Sequence, residues 1–175
     1  RSPENTISLS GAFALYPMAV KWGEEYKKTD PSAAIDITAG GAGKGMSDAL
    51  SGMVDIGMVS REITKEETAK GAWYTSCVID AVVPVFSASS PVYDEIMKRG
   101  VKKNEFAKIW DKNPAKTWKS VIPTLGKDSS LNVYTRSDAC GAAQTWGSFF
   151  GKKQEELGGI GVFGDPGLAE AVRKD

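Results

Sequence analysis

The sequence of 175 residues predicts an α/β protein with mainly parallel sheets. Runs that suit strands alternate with amphipathic stretches that suit helices along the whole chain. Turns of small and polar residues join three of these strands to the helices that follow them, at 11–14, 40–44 and 136–141. The carboxyl ends of parallel strands share one edge of a sheet, where ligands of open α/β sheets bind, so these turns form the candidate site.

The composition of the chain excludes several classes of function. The chain is 41% apolar and 25% charged, which is typical of a folded globular protein. Its 22 basic and 22 acidic residues cancel, so no nucleic-acid partner is expected. With no histidine and two cysteines, it lacks the residues for a histidine base or a zinc site. The prediction is a protein without enzyme activity, metal or cofactor, and a disulfide between Cys77 and Cys140 stays open.

The first half of the chain predicts three strands, each followed by a helix, at residues 7–9, 35–38 and 54–59. Thr64 and Glu67 form a capping box that opens the third helix. The run from Cys77 to Phe86 is almost continuously apolar, which predicts a strand buried on both faces. Asp80 interrupts this run, and a buried carboxylate needs partners. Asp80 is therefore predicted as a structural hydrogen-bond hub, with a hinge element as the alternative.

The second half predicts more helices than strands. These elements are a helix from Ser90 to Gly100, a helix capped by Asn104, a strand at 131–134 and a last helix opened by Asp165. Before that last helix, Asp138 is predicted to cap another one. Its buried face carries Ala142, Trp146, Phe149 and Phe150, and Gly151 ends it. The predicted domains are a first lobe, residues 1–84, and a second lobe, residues 85–175.

The glycine-rich turn after the second strand fits neither phosphate-binding motif that it suggests. Thr38 stands where a P-loop needs its first glycine, and Gly45 stands where it needs Ser or Thr. Met46 occupies the third glycine position of the dinucleotide motif. The turn could cradle an anion with its backbone N–H groups, or it could simply let backbone pack closely. In the same way, Arg136 could bind an oxyanion or pair with Asp138.

Five segments, taken in their order and spacing, are more specific than any one of them alone. They are Gly11–Pro17 followed by Lys21 and Trp22, Gly40–Gly43, Val54–Gly57 followed by Ser60 and Arg61, Arg136–Asp138 with Gly141, and Phe163–Gly167. Together they resemble the phosphate-binding (PstS-like) family of periplasmic solute-binding proteins, the receptors of ABC importers. The likeness covers nearly the whole chain.

This resemblance implies the two-lobed type II fold of periplasmic binding proteins, with mainly parallel sheets. Family members continue past the last helix with another strand, so this chain is expected to be truncated at the C-terminus. A truncated chain is expected to expose apolar surface and to self-associate. The resemblance also implies a periplasmic location or an extracellular, membrane-anchored one, and the polar start of this chain contains no signal sequence.

The function implied by the resemblance is the capture of phosphate or a similar inorganic oxyanion, in the cleft between the lobes, for a membrane ABC permease. Family members hold the anion with backbone N–H groups, hydroxyl groups and one arginine. By resemblance Arg136 is that arginine, held by Asp138. The ligand-binding residues that the resemblance implies are Phe13, Ala14, Ala42, Gly43, Ser60, Arg136, Cys140, Gly141 and Ala142.

Four of these positions depart from the family pattern. Phe13, Ala42, Cys140 and Ala142 stand where members typically carry hydroxyl groups. Each missing hydroxyl removes a hydrogen bond to a charged group, on the order of 1.5–3 kcal/mol. The alternative function is therefore a sensing or binding module of the same fold that has lost oxyanion binding. An enzyme has the least support, with Cys140 at a helix N-terminus as its candidate nucleophile.

Overall fold

The computed structural model describes residues 6–175. The polar start of the chain, residues 1–5, lies outside the described residues. The chain forms two compact units: the first ends at Ala81 and also takes in Asp138–Ala142, and the second consists of Val82–Ser137 and Ala143–Asp175. The sequence placed the boundary of the N-terminal part of the first lobe after residue 84, and the structure also groups Asp138–Ala142 with the first unit. No helix within residues 6–175 combines the length and the apolar character that crossing a bilayer requires.

The first unit is a three-stranded parallel sheet with helices between its strands. Its elements are β1 (Thr6–Gly11), α1 (Tyr16–Thr29), β2 (Ala34–Ala39), α2 (Ala42–Leu50), β3 (Ile56–Met58) and α3 (Lys65–Ala69). The strand order is β2-β1-β3, and all pairs are parallel. This architecture confirms the predicted class, because each strand returns through a helix to lie parallel to its neighbour.

The core of the first unit is made of small residues. Ala12, Ala19, Ala42 and Met58 are buried, with partly buried Leu9, Leu15, Ile37 and Val59 packed against them. Small side chains leave little space between helix and sheet, so the backbones approach each other closely. The turns at the strand ends depend on this close approach.

The second unit is mostly helical around a two-stranded parallel sheet. Its elements are α4 (Tyr93–Arg99), α5 (Lys103–Ile109), α6 (Trp118–Val121), β4 (Tyr134–Arg136), α7 (Gly141–Phe149, whose first two residues belong to the first unit), a 3-10 helix (Gln154–Glu156), β5 (Ile160–Val162) and α8 (Gly164–Lys174). Strands β4 and β5 are parallel, with Arg136 opposite Val162. The core gathers Val92, Ile96, Ile109, Trp118, Val121, Ile122, Leu125 and Val133. These side chains are larger than those that fill the first unit.

The prediction of a buried strand from Cys77 to Phe86 is wrong. The structure has no strand there, and Ile79 is fully exposed while Val83 is 67% exposed. An apolar run becomes a buried strand only where neighbouring strands and covering helices supply partners. No described strand pairs with this run. Asp80 is accordingly exposed and accepts a hydrogen bond from the N–H of Ala81 at 2.7 Å, so it is not a buried hub.

Two predicted details of the second half are also wrong. Helix α5 begins at Lys103, and the carboxylate of Glu105 accepts the N–H of Lys102 at 2.8 Å, so Asn104 is not its cap. Helix α7 begins at Gly141, and the role of Asp138 as its cap stays a prediction. Phe149 is 46% exposed, so the predicted apolar face of α7 is buried only in part.

The capping box that opens α3 is confirmed. The hydroxyl of Thr64 accepts the N–H of Glu67 at 3.2 Å, and the carboxylate of Glu67 accepts the N–H of Thr64 at 2.9 Å. The same carboxylate accepts two hydrogen bonds from the guanidinium of Arg61, at 2.9 and 2.6 Å. The Arg61 hydrogen bond lowers the pKa of Glu67 from 4.5 to about 2, and the N–H of Thr64 adds to the effect.

Replacing Glu67 is expected to change the acid stability of the first unit. The pKa of Glu67 is lower in the folded chain than in the unfolded chain, so its contribution is present above about pH 4.5 and is lost as the pH falls towards 2. Glu67→Gln should therefore lower the free energy of unfolding at neutral pH by about 1 kcal/mol and flatten the loss of stability in acid. Urea unfolding over a pH series measures both effects.

Glu66→Gln is the matched control for this prediction. It makes the same change of charge one residue away on the same helix, and Glu66 is exposed. Identical pH profiles for the two variants would show that the pair between Arg61 and Glu67 contributes nothing.

Candidate functional site

The candidate site lies at the carboxyl edge of the sheet in the first unit, where the turns after β1, β2 and β3 meet. The N–H of Ala12 donates to the carbonyl of Met58 at 2.9 Å. The N–H groups of Gly40 and Gly41 both donate to the carbonyl of Gly11 at 2.9 Å. Backbone hydrogen bonds therefore tie the three turns to one another.

Glycines allow helix α2 to approach the strands at this edge. A Cβ atom on Gly45 would lie 2.5 Å from the carbonyl oxygen of Met58 and 2.8 Å from the Cα of Gly11. Gly11 itself has a φ of 134°, which disfavours any side chain. Close packing of backbone thus accounts for Gly45, one of the two explanations that the sequence left open for the glycine-rich turn.

The segment Asp138–Ala142 completes the edge from a distant part of the sequence. The N–H of Gly43 donates to the carbonyl of Ala139 at 3.3 Å. A Cβ atom on Gly41 would lie 3.0 Å from a carboxylate oxygen of Asp138, and one on Gly141 would lie 1.7 Å from the carbonyl oxygen of Ser60. The start of α7 therefore lies directly against the end of the third strand and the first turn of α2.

The first unit contains eight of the nine predicted ligand-binding residues, namely Phe13, Ala14, Ala42, Gly43, Ser60, Cys140, Gly141 and Ala142. Their exposure differs widely: Ala42 is fully buried and Cys140 is 5% exposed, whereas Ala14 is exposed. The ninth residue, Arg136, belongs to the second unit. The role of each of these residues in binding stays a prediction.

Lys44 follows the glycine-rich turn, and its charge is matched by a carboxylate. Its amine forms an ion pair with Asp48, one helical turn further along α2. Asp48 also accepts a hydrogen bond at 2.7 Å from the hydroxyl of Ser10, which is fully buried. The pKa of Asp48 is lowered, chiefly by Lys44 and then by Ser10. These contacts join the end of β1 to α2, so Lys44 has a structural role at the edge.

Arg136 ends strand β4, and its side chain is only 3% exposed. It forms an ion pair with Asp165, in the first turn of α8. The sequence marked Asp165 as the start of a helix but did not connect it with Arg136. The pairing depends on the parallel register of β4 and β5, which the sequence does not reveal. Arg136 lies opposite Val162, and the chain enters α8 directly after β5.

The two cysteines are both free thiols in the structure, so they do not form a disulfide. Cys140 is buried beneath the start of α7, and Cys77 is exposed. Burial removes Cys140 from solvent, which does not favour it as a nucleophile. Among residues 6–175, no group of three or more acidic or cysteine side chains is placed to hold a metal ion.

Comparison with known proteins identifies the family to which this chain belongs. A family model described as the PBP superfamily domain matches residues 1–175. The chain belongs to the PBP superfamily. The phosphate-binding protein PstS of Bacillus subtilis is 28% identical over 141 residues, which are 81% of this chain and 44% of that protein. The phosphate-binding protein PstS 2 of Streptococcus pneumoniae is 35% identical over 79 residues, 45% of this chain and 27% of that protein.

Solved structures show the same fold. A crystal structure named for a phosphate ABC transporter substrate-binding protein of Clostridium perfringens, with bound phosphate, matches with a TM-score of 0.76 at 23% identity. The match covers 96% of this chain and 66% of that one. The predicted fold class and the predicted resemblance to PstS-like proteins are thus confirmed. The chain spans less than half the length of the curated B. subtilis and S. pneumoniae relatives.

Adding a methyl group at Gly141 should disrupt the edge. The new Cβ would overlap the carbonyl oxygen of Ser60, at 1.7 Å, so Gly141→Ala is expected to destabilise the first unit by about 1–3 kcal/mol. Without this overlap the change would stabilise, because alanine favours the helix over glycine by about 1 kcal/mol. The sign of the effect in a denaturant unfolding experiment therefore tests the contact.

Gly126→Ala is the matched control, since the nearest atom to its new Cβ would be 3.7 Å away. Its effect should stay within about 0.5 kcal/mol. A neutral or stabilising Gly141→Ala would contradict the contact between α7 and the third strand.

Proposed function

We propose that this chain is the binding region of an extracytoplasmic receptor that captures phosphate or a similar inorganic oxyanion for a membrane ABC permease. The observation that carries the proposal is the convergence of three strand-end turns and the start of α7 at one edge of a parallel sheet. Edges of this kind are where open α/β proteins bind ligands. The membership of the PBP superfamily and the names of the relatives support the choice of an oxyanion.

The proposed ligand contacts are of two kinds. Backbone N–H groups at the starts of α2 and α7 lie at positive dipole ends, which suits an anion. The N–H of Gly43 donates to the carbonyl of Ala139 at 3.3 Å, so an anion at the start of α2 has to compete with that bond. Arg136 is proposed to supply the one guanidinium, as in the family. Its planar fork of donors matches a tetrahedral oxyanion. Lys44 and Arg61 are not proposed as ligands, because the family uses one arginine and the resemblance assigns that role to Arg136. Their pairs with Asp48 and Glu67 hold local structure.

Calorimetric titration with phosphate, sulfate and small organic anions tests the proposed function. Binding of phosphate is expected, and binding of none of these anions would favour the alternative of a module that has lost oxyanion binding. The absence of binding is what the alternative predicts, because hydroxyl groups are missing at Phe13, Ala42, Cys140 and Ala142.

Arg136→Ala should remove most of the phosphate affinity, whereas Lys44→Ala and Arg61→Ala should change it little. A hydrogen-bonded charge pair with the anion contributes about 1.5–3 kcal/mol, so the loss for Arg136→Ala should be about tenfold or more. The two other variants remove the same charge from side chains to which the proposal gives no contact with the anion. Small and equal losses in all three variants would show that Arg136 does not anchor the ligand. Circular dichroism of each variant confirms that it is folded.

We further propose that the chain self-associates in solution. Large apolar side chains are exposed along residues 73–85, with Trp73 at 87% and Ile79 fully exposed. Clustered apolar exposure of this kind favours association. Light scattering should show a mass above that of the monomer that rises with concentration, and Ile79→Lys should lower it. Met97→Lys, which charges an exposed side chain outside the run, is the control. A monomer at all concentrations would contradict the proposal.

A further inference from the structure

The stretch from Lys98 to Lys127, which we call the lysine segment, concentrates positive charge that the zero net charge of the chain conceals. Its 30 residues carry nine basic and two acidic side chains, so the remaining 145 residues carry 13 basic and 20 acidic ones. The segment lies wholly in the second unit and includes α5 and α6. Positive charge localised in this way is typical of a surface that meets a negatively charged partner.

The two acidic residues of the lysine segment do not neutralise its lysines. Glu105 pairs with Arg99 at 2.6 Å, and Asp111 pairs at 2.8 Å with Lys152, which lies outside the segment. The lysines that are left over are Lys98, Lys102, Lys103, Lys108, Lys112, Lys116, Lys119 and Lys127. Within residues 6–175 none of these eight forms an ion pair. Seven of them are exposed, and Lys119 is half-buried.

The carboxylates that border the segment offset only part of this charge. Glu95 accepts the N–H of Gly126 at 2.9 Å, and Asp128 accepts the N–H of Lys119 at 2.9 Å. Counting from 94 to 128 adds both of these and Asp94, which leaves nine basic side chains against five acidic ones. The surplus of positive charge therefore does not depend on where the segment is taken to end.

Three helices turn their apolar sides to one core and leave their lysines outside. Ile96 of α4, Ile109 of α5 and Trp118 of α6 are buried together in that core. A helix that buries one side presents its other side to solvent. The packing of the second unit therefore holds the charges of this segment at its surface.

Apolar side chains are exposed among these lysines. Met97, next to Lys98, is 60% exposed, and Phe149 of α7 is 46% exposed. The Nζ atom of Lys103 lies 4.4 Å from the centroid of the Phe149 ring, so a cation lies directly against an exposed aromatic ring. Basic and apolar groups side by side are typical of protein surfaces that bind in the headgroup region of an anionic membrane.

We propose that the lysine segment, together with Met97 and Phe149, is a docking surface for the anionic headgroups of a lipid bilayer. Such a surface would hold the second unit at the membrane that contains the proposed permease. Eight unpaired lysines and no unpaired arginine favour lipid over a protein partner, because protein interfaces are enriched in arginine and depleted of lysine. The compact charge of lysine on a flexible stem needs no fixed geometry in its partner, which suits mobile headgroups.

A role in solubility alone makes a different prediction. Charges that only keep the chain soluble act through their number, so lysines elsewhere on the surface would be equivalent to those of the segment. Docking on a bilayer requires the lysines of the segment themselves. Each lysine that comes near an anionic bilayer strengthens binding about fivefold, and added salt weakens this attraction.

The test is sedimentation of the chain with vesicles of phosphatidylcholine, either alone or mixed with phosphatidylglycerol. A sample without vesicles corrects for self-associated chain. The wild-type chain is expected to bind the mixed vesicles, to bind the neutral ones at least about tenfold more weakly, and to dissociate as salt is added. Two triple variants replace lysines by glutamine, one at Lys98, Lys102 and Lys103 and the other at Lys108, Lys112 and Lys116. Each is expected to weaken binding to the mixed vesicles at least about tenfold.

The matched control replaces Lys27, Lys65 and Lys70 by glutamine. These lysines are exposed, belong to the first unit and form no ion pair among the described residues, so the change of net charge is the same. Binding of this variant to the mixed vesicles should stay within about twofold of the wild type. Circular dichroism confirms that each variant is folded, and the second triple variant provides the comparison if the first does not fold.

Met97→Ser distinguishes a bilayer from a soluble acidic polymer. An exposed methionine that enters the headgroup region loses contact with water, so this variant should bind the mixed vesicles about threefold more weakly. Its binding to soluble poly-glutamate, which has no apolar region, should not change. Equal effects on the two ligands would identify an acidic polymer as the partner and overturn the proposal.

The other outcomes also decide the inference. It is overturned if the wild-type chain does not bind the mixed vesicles, or if it binds neutral vesicles equally well. Equal losses in the segment variants and in the control variant overturn it as well, because they indicate an effect of net charge alone. The inference does not depend on the anion site, so a chain that fails to bind phosphate can still confirm it.

Discussion

The close approach of helix α2 to strands β1 and β3 is the constraint on which the rest of the first unit depends. The space between Gly45 and the carbonyl of Met58 leaves no room for a Cβ atom. Because the backbones nearly touch, the turns after the strands can exchange backbone hydrogen bonds, and the N–H groups of Gly40 and Gly41 reach the carbonyl of Gly11. The same principle operates at Gly141, where the absence of a side chain lets α7 begin against Ser60. The geometry of the edge is therefore set largely by close contacts of the backbone, and the contacts of Asp48 with Lys44 and Ser10 add to them.

Three basic side chains that the sequence suggests for anion binding are paired with carboxylates. Lys44 is paired with Asp48, Arg61 with Glu67, and Arg136 with Asp165. The first two pairs stabilise local structure: one links α2 to β1 through Ser10, and the other fixes the capping box of α3. Paired cations attract an anion less than isolated ones do, so any oxyanion that binds must rely on directional donors rather than on a general positive field. This agrees with the zero net charge of the chain.

The sequence predicted the strand and turn pattern well where local signals and tertiary structure agree. Strands β1 and β2 lie where the alternating runs predicted them, and the capping box at Thr64 forms as expected, because each depends on residues close in sequence. The prediction of a buried strand from Cys77 to Phe86 is wrong because an apolar run indicates that burial is favourable but does not specify which element covers it. The pairing of Arg136 with Asp165 was missed for a related reason. It depends on the register of β4 and β5, which no local pattern specifies.

Two of the positions that lack a hydroxyl group, Ala42 and Cys140, are buried in the first unit. Ala42 is fully buried and belongs to the core of the first unit, and Cys140 is 5% exposed. A buried hydroxyl that has no hydrogen-bond partner costs about 1–3 kcal/mol. Alanine at position 42 avoids that cost in the absence of ligand, and it gives up a hydrogen bond when the proposed anion is present. In the proposed function, recognition relies on backbone donors, whose positions the glycines fix, and on Arg136. Few side-chain hydroxyl groups then remain to distinguish the protonated oxygens of the anion from its bare ones.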